Sequence, residues 1–288
     1  MRIGVKLPHT GAVPGPSVPV LARELESAGF DSLWVSDHVV LPARIESWYP
    51  FAPDGKATWP TDTPYIESLV TLAAAAAVTE RVRLGTAALV LPQRNPVLLA
   101  KQVASVDAIS GGRVALGIGA GWLREEFEAL GMPFDTRGPR MVEWIHLLRE
   151  CWTGRPQGRK SEHYDLPADT LVLPAPARPI PLYVGGHSPT ALRRAGRLGD
   201  GWLAQQALPD LDPAALAAEI GQVRAAAQQA GRDPDALDIV LRIVQAAGKA
   251  SEVARRIGDL TRAGVGEIVV DTGDAAADHD VLRDGASG

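Results

Sequence analysis

The sequence predicts an α/β protein of the (β/α)8 TIM-barrel class. Short apolar runs alternate with helix-length amphipathic segments along the whole chain, a pattern typical of βα units with a parallel sheet. The length of 288 residues matches the roughly 250 residues of one such barrel with insertions. Eight apolar runs qualify as strands, and eight is the number that closes a barrel. We therefore expect residues 1–288 to form one barrel domain.

The eight predicted strands are short and mostly apolar. They cover Ile3–Leu7, Ser32–Ser36, Val82–Ala87, Val114–Ile118, Pro181–Val184, Gly201–Ala204, Asp238–Val244 and Glu267–Asp271. Because a helical segment separates most successive strands, the strands are expected to run parallel.

The predicted helices open at Ser, Thr, Pro or Asp in several cases and end at Gly, as helix termini commonly do. They cover Ser17–Ala28, Tyr65–Thr79, Pro96–Ile109, Pro139–Trp152, Pro189–Gly199, Pro213–Gly231 and Ala250–Ala263. The tail after Asp274 is small and polar, so we expect its end to be frayed.

Two insertions depart from this rhythm, Leu41–Pro64 after strand 2 and Thr153–Pro179 before strand 5. Both are longer than ordinary βα connections, and long loops in compact domains are usually functional or mobile. Neither has the alternating pattern of a second core. We expect both to lie over the mouth of the barrel.

Composition favours a small-molecule enzyme. The net charge is −5 and the pI is about 5.7, which gives no general attraction for nucleic acid or an anionic membrane. The chain shows no leader peptide and no apolar span near 20 residues. Together with the single cysteine, Cys151, this predicts a cytoplasmic protein in which Cys151 fills the core. No His-x-His pair or thiol cluster predicts a metal site.

The pair Asp37-His38 follows strand 2 directly, at the carboxyl end where barrel enzymes place their chemistry. An imidazole changes charge near neutral pH, so His38 is the candidate for proton transfer, with Asp37 fixing its orientation. The alternative is that Asp37 caps the next segment and His38 fills a polar edge.

Two further strands end in glycine turns, Gly117 to Gly121 and Gly185 to Ser188. A turn that opens a helix offers free N–H groups to an anion, and glycine permits close approach, so both turns predict a phosphate-bearing cofactor. The first has the spacing G-x-G-x-G, which does not fit the dinucleotide fingerprint. Tight turns required only by packing are the alternative.

Other side chains are expected near the mouth. His9 follows strand 1 and is a candidate for contact with substrate. Several tryptophans, Trp48 and Trp122 among them, lie near strand ends or in the insertions, where they could wall a planar ring or fill the core.

The ordered set of these motifs resembles the luciferase-like monooxygenase superfamily, and more closely its deazaflavin (coenzyme F420) branch. The resemblance rests on segments from strand 1 to strand 8. They are Ser32–His38, Arg83–Thr86 through Pro92–Pro96, Ser110–Arg113, Gly117–Phe127, and Gly185–Ser188 through Gly199–Trp202.

The resemblance implies a cofactor at the carboxyl face of the barrel, with Asp37 and His38 bordering its ring. It also implies a non-prolyl cis peptide behind the ring at Ala87-Ala88. The ribityl chain and phosphate would be held by the two turns: Gly117, Gly119, Ala120, Gly121, Gly185, Gly186, His187 and Ser188.

One position departs from the family pattern. Sugar-phosphate dehydrogenases of this branch carry a glutamate proton donor where this chain has Trp122, which favours an apolar or aromatic substrate instead. Glu125 and Glu126 lie one helical turn further on, and their substituting for that donor is a remote alternative.

The leading hypothesis is a cytoplasmic oxidoreductase that uses F420 for hydride transfer to or from a small organic substrate. The first alternative is an FMN-dependent monooxygenase supplied by a separate flavin reductase. The second is a flavin-binding protein without turnover. The family resemblance also implies a homodimer.

Overall fold

The computed structural model describes residues 1–11, 17–52, 54–57 and 59–287. Positions 53 and 58 of the predicted Leu41–Pro64 insertion lie outside these described residues.

Eight parallel strands form a closed barrel, as the sequence predicts. They are β1 Arg2–Lys6, β2 Ser32–Val35, β3 Arg83–Thr86, β4 Val114–Gly119, β5 Leu182–Gly185, β6 Gly201–Ala207, β7 Asp238–Val244 and β8 Glu267–Val270. Each strand pairs with the next, β8 pairs with β1, and the pairs Leu84–Val114 and Gly85–Ala115 join β3 to β4. A two-residue strand, Leu89–Val90, pairs in parallel with Ile118–Gly119 at the carboxyl end of β4.

Helices surround the barrel. They are α1 Val18–Ser27, α2 Ser68–Ala76, α3 Pro96–Ser110, α4 Arg124–Ala129, α5 Arg137–Cys151, α6 Pro189–Leu198, α7 Pro213–Gln229, α8 Ala250–Ala254, α9 Ile257–Ala263 and α10 Ala275–Ser287, with 3-10 turns at Leu91–Gln93 and Leu208–Asp210. Asn95, Ser188 and Asp212 cap three of them by accepting backbone N–H groups.

Three helix predictions need correction. The predicted Tyr65–Thr79 helix starts only at Ser68, because the Glu67 carboxylate caps it by accepting from the Val70 amide at 2.8 Å. The predicted Ala250–Ala263 helix is divided into α8 and α9. The tail after Asp274 forms α10, which packs on α8. Its Leu282 is buried, and its buried His279 packs against Phe30, with ring centres 5.0 Å apart.

The interior of the barrel is filled at its amino end and open at its carboxyl end. The lowest level is an ionic network in which Arg2 and Arg83 contact Asp238 and the fully buried Glu267. Above it lies an apolar level. Its members are Trp34, Ala87, Ala115, Tyr183, Leu203, Val240 and Val269. These two levels close the bottom, so any ligand enters from the carboxyl end.

The Thr153–Pro179 insertion does not lie over the mouth, which corrects the prediction. It contains an antiparallel pair, Arg159–Lys160 with Asp165–Leu166, and it contacts α3 through a Lys101 to Leu173 hydrogen bond. None of its residues lines the large cavity described below. The reason is topological, since the insertion follows the end of α5, and βα-barrel helices end near the amino ends of the strands.

Cys151 is fully buried in the main core cluster, as predicted. Burial raises the pKa of its thiol to about 11, so the thiol stays protonated at neutral pH.

None of the helices in the described ranges combines the length and apolar character needed to cross a membrane.

Candidate active site

A cavity of about 1880 Å³ opens at the carboxyl ends of the strands. Ligand pockets for one drug-sized molecule usually measure about 300–1,000 Å³, so this cavity has room for a cofactor together with a substrate. The insertion Leu41–Pro64 forms part of its wall, as predicted for that insertion.

Most of the predicted site residues line this one cavity. They are Asp37, His38, Trp48, Ala87, Ala88, Gly119, Ala120, Gly121, Trp122, Gly185, Gly186, His187 and Ser188. Two predicted residues, His9 and Gly117, do not line it.

Gly117 meets a packing requirement below the cavity. A Cβ atom at this position would lie 2.0 Å from the Thr86 carbonyl oxygen, so only glycine fits between β3 and β4. The Thr86 hydroxyl also donates to the Gly117 carbonyl at 2.7 Å. The packing alternative therefore holds for Gly117, which has no access to a ligand here.

His9 is fully buried beside the cavity wall rather than at the mouth. Its Nδ1 lies 2.9 Å from the Leu7 carbonyl and its Nε2 lies 2.9 Å from the Ser36 carbonyl. Both nitrogens are thus engaged by backbone, and the predicted contact with substrate is corrected. The ring ties the end of β1 to the end of β2.

His38 lines the cavity and is held by a carboxylate from another element. Its Nδ1 lies 3.0 Å from Oε2 of Glu126 in α4, and Glu126 is buried. The other oxygen, Oε1, accepts from the Val39 amide at 2.6 Å and the Val40 amide at 3.2 Å. Glu126 therefore fixes both the imidazole and the backbone that follows it, and leaves Nε2 available for a ligand.

Asp37 does not orient His38, contrary to the prediction. Its carboxylate forms a two-bond ion pair with Arg94, both at 2.7 Å, and accepts from the Ser68 hydroxyl at 2.8 Å and the Val90 amide at 2.9 Å. Burial alone would raise the pKa of Asp37, but Arg94 outweighs it and holds the pKa below its ordinary value. Asp37 thus anchors the end of β2 to α2 and to the β3–α3 connection.

Aromatic rings surround His38. Its ring lies 5.3 Å from that of Tyr65, 5.8 Å from Trp59 and 6.3 Å from Trp122, centre to centre. Tyr49 extends the cluster by edge contacts with Trp59 and Trp122. Burial raises the pKa of Tyr49 and Tyr65, so both hydroxyls remain protonated near neutral pH.

Trp48, in contrast, is 65% exposed at the rim. Its indole packs beside Gly55 of the same insertion, where a Cβ would lie 2.2 Å from the ring. Trp48 therefore shapes the insertion more than the aromatic wall around His38.

Glu125 fastens the insertion to α4. Its Oε1 accepts from the Glu46 amide at 2.6 Å and the Ser47 amide at 2.9 Å, and its Oε2 accepts from the Ser47 hydroxyl at 2.6 Å. Glu126 thus holds the start of the segment 39–47 and Glu125 holds its end. Neither glutamate takes the position of Trp122.

Small residues line one side of the cavity floor. The Ala87–Ala88 peptide is cis, as the family resemblance implies, and a Cβ added to Gly119 would lie in ordinary contact with Ala88, at 3.6 Å. Arg242 of β7 supports this floor by donating from Nη1 to the Ala87 carbonyl at 2.7 Å.

The Gly185–Ser188 turn leads into α6 with the geometry of an anion site. Gly186 has φ +114°, and the Ser188 hydroxyl caps the helix by accepting from the Ala191 amide at 3.2 Å. His187 accepts from the Gln205 amide through Nε2 at 3.1 Å and contacts Glu219 through Nδ1 at 3.0 Å. The proton of His187 is therefore on Nδ1.

Two arginines line the cavity near these turns. Arg137 donates to the Gly121 carbonyl at 3.2 Å and stacks 3.6 Å from the Phe134 ring centre. Arg194 of α6 has no carboxylate partner in the described part of the chain, and its Nε is buried without a hydrogen bond. Burial lowers the pKa of both arginines. A phosphate between the two turns would neutralise them.

Sequence reasoning missed Lys6, Arg242, Arg137 and Arg194, and it treated Glu126 only as a remote donor. For Lys6 and Arg242 a signal exists, because each is a charged residue inside an otherwise apolar strand. Among the described residues, no group of three or more His, Cys, Asp or Glu side chains lies close enough together to hold a metal ion.

Several known proteins are similar to this chain in sequence. A protein of Mycobacterium tuberculosis without an assigned function is 41% identical over 212 residues, covering 74% of this chain and 72% of that protein. The F420-dependent glucose-6-phosphate dehydrogenase of Amycolatopsis mediterranei is 34% identical over 207 residues, covering 70% of this chain and 57% of that enzyme.

A solved structure of an F420-dependent secondary alcohol dehydrogenase, in complex with an F420-acetone adduct, has the same fold. It superposes with a TM-score of 0.75 at 19% identity, covering 98% of this chain and 97% of that one. The family model described as luciferase-like monooxygenase matches residues 1–280. The chain therefore belongs to the luciferase-like monooxygenase family of oxidoreductases.

Proposed function

We propose that the protein uses coenzyme F420 to transfer hydride to or from a small apolar or aromatic organic substrate. The observation that carries this proposal is one cavity that combines a floor of small residues, two glycine turns with Arg137 and Arg194 beside them, and His38. These are the features that a flat redox ring with an anionic tail requires.

The chain's own residues fit such a cofactor. The floor of Ala87, Ala88 and Gly119 leaves space for a planar ring, since no larger side chain occupies it. The turns at Gly121 and Gly186 offer backbone N–H groups, and Arg137 and Arg194 offer positive charge for a phosphate. When bound, a deazaflavin supplies or accepts two electrons as hydride.

The role of His38 follows from its hydrogen bond. Because Nδ1 faces the Glu126 carboxylate, that nitrogen holds a proton, and Nε2 can accept a proton from the substrate or, in the imidazolium form, donate one. Tyr65, Trp59 and Trp122 exclude water around it. The wall of aromatic rings favours an apolar substrate over a sugar phosphate, because burying a phosphate among such rings is costly.

The preference for F420 over FMN is supported by the 34% identical F420-dependent relative. The two cofactors share a flat ring and a phosphate, so the same floor and turns suit both. A monooxygenase fed with reduced FMN by a separate reductase is therefore the outcome that the test must separate.

The test is an anaerobic reaction of reduced F420 with the protein and acetophenone or cyclohex-2-enone, followed through the absorbance of oxidised F420. Oxidation without oxygen, lost in His38→Ala while F420 is still bound, supports the proposal. Oxidation of reduced cofactor that requires both oxygen and FMN would overturn it. A protein that binds F420 but oxidises reduced F420 no faster than His38→Ala does would be a carrier.

A further inference from the structure

The floor of the cavity differs in chemistry from side to side. At the carboxyl ends of β3, β4 and β5 the lining residues are Ala87, Gly119 and Gly185. On the opposite side, the ends of β1, β7 and β8 present Lys6, Arg242 and Asp271. The register joins these three positions, since Val5 and Ile243 both pair with Val270, next to Asp271.

Lys6 lies on this floor without a partner. Among the described residues its ammonium group has no hydrogen bond or ion pair, although Lys6 is largely shielded from solvent. Burial lowers the pKa of Lys6, the charge of Arg242 lowers it further, and Asp271 opposes this as the smallest of the three effects. Two cations therefore share the charge of one carboxylate.

The other acidic groups of the cavity do not compensate this excess. Asp37 is paired with Arg94 and Asp135 with Arg124. Glu219 is hydrogen-bonded to His187 at the Gly185–Ser188 turn, away from Lys6. The remaining acidic group of the lining, Asp210, is exposed at the rim. An excess cation in a shielded site is costly unless a ligand brings the opposite charge.

We propose that Lys6 and Arg242 bind an anionic oxygen group of the substrate, most simply a carboxylate. This inference rests on the proposed function, because it leaves the small-residue side of the floor to the cofactor ring. The guanidinium of Arg242 keeps donors beyond the Nη1 that holds the Ala87 carbonyl, and Lys6 adds a point charge.

The substrate class follows from the charged floor of the cavity and from the aromatic rings beside His38. The anionic group binds on the floor at Lys6, and the body of the molecule lies against the rings of Tyr65, Trp59 and Trp122 beside His38. The site is separate from the glycine turns, where Arg137 and Arg194 face the tail of a cofactor. The substrate is therefore a small aromatic or apolar acid.

The test measures binding of benzoate and its neutral counterpart, benzyl alcohol, to the cofactor-free protein by calorimetry. Lys6→Met keeps the length of the side chain and breaks no contact. We expect it to weaken benzoate binding at least about 10-fold, as removal of a buried charge partner does, and to leave benzyl alcohol unchanged. Lys6→Arg should retain benzoate binding.

One control makes the result specific. Lys160→Met removes the same charge from an exposed position outside the cavity. This variant should bind benzoate as the wild type does. Thermal melting of each variant, read by circular dichroism, shows whether the fold is retained.

Benzoate binding that is no tighter than benzyl alcohol binding, or unchanged in Lys6→Met, would overturn the inference. So would a changed midpoint potential of bound F420 in Lys6→Met with unaltered benzoate affinity, because the charge would then serve the cofactor ring. Failure to bind F420 would refute the proposed function instead. Because benzoate binding is measured without cofactor, its outcome does not depend on whether the protein binds F420.

Discussion

His38 depends on a partner that comes from a different element. Glu126 accepts from His38 Nδ1 and from two backbone amides, so it positions the imidazole without contacting the substrate. Glu126→Gln would offer an amide donor to Nδ1, which then must accept, and the proton of the imidazole would move to Nε2.

We expect Glu126→Gln to lower kcat at least about 10-fold, since the wrong tautomer cannot take the proton at Nε2. Nitrogen NMR shifts of His38 should report the change of tautomer. Glu128→Gln, an exposed position on the same helix, is the control. Full activity of Glu126→Gln with the proton still on Nδ1 would show that Glu126 does not position His38.

Asp37 has a stabilising role that pH should reveal. Its folded pKa lies below the ordinary value of 3.8, so its ionised form stabilises the protein above that value, and this stability is lost as pH falls through the folded pKa. Asp37→Asn leaves Arg94 without its buried partner and should cost about 3–5 kcal/mol at neutral pH.

Urea unfolding at several pH values measures this effect. The difference in unfolding free energy between wild type and Asp37→Asn should begin to shrink below about pH 4, where Asp37 of the unfolded chain takes up a proton, and should be lost as pH falls through the folded pKa. A difference that stays constant down to pH 2 would exclude the ionised pair as its source.

The sequence singled out Asp37 and His38 but assigned them to each other. The carboxylate of Asp37 pairs with Arg94, whereas the ring of His38 lies against Glu126. The true partner, Glu126, is 88 residues from His38. Such a pairing depends on how α4 lies across the mouth, which local patterns do not specify.

Two glycines near the end of β4 have different roles, one in packing and one in the proposed cofactor binding. Gly117 fits against the Thr86 carbonyl, whereas Gly119 borders open space at Ala88. Gly119→Ala should therefore keep the stability of the fold and weaken F420 binding, because the added methyl group enters the floor.

Gly117→Ala is the matched comparison. Its methyl group would overlap a backbone oxygen at 2.0 Å, so we expect a lower melting temperature. Thermal melting and F420 titration of both variants test the pair. Unchanged F420 affinity in Gly119→Ala would place the ring elsewhere in the cavity.

The last helix is an element that the sequence did not predict. Segment 275–287 is rich in small and charged residues, so its single well-buried apolar side chain, Leu282, gave too little periodicity. Leu282→Ala should cost about 2–5 kcal/mol, the range for a buried leucine, measured by urea unfolding. Asp284→Ala, an exposed position on the same helix, should cost far less.

The strands were predictable because parallel strands buried on both faces are continuous apolar runs. The placement of Thr153–Pro179 was not, since length alone does not say at which end of the barrel an insertion lies.

A destabilisation by Leu282→Ala no larger than that of Asp284→Ala would show that α10 adds nothing to the core.

In the whole molecule, the barrel is filled at the amino ends of its strands and open at their carboxyl ends, where the proposed active site lies. The ionic network of Arg2, Arg83, Asp238 and Glu267 and the apolar level above it fill the amino end. The cavity at the carboxyl end then has one small-residue side, one charged side and an aromatic wall. The cofactor proposed for this cavity is F420.

Equilibrium titration of the cofactor-free protein with F420 and, separately, with FMN shows which of the two cofactors the cavity binds. Ring fluorescence reports occupancy, and Gly119→Ala reports whether binding occurs on the predicted floor. We expect one F420 per chain, weaker FMN binding, and a loss of F420 affinity in the variant. Tight FMN binding with no binding of F420 would contradict the account.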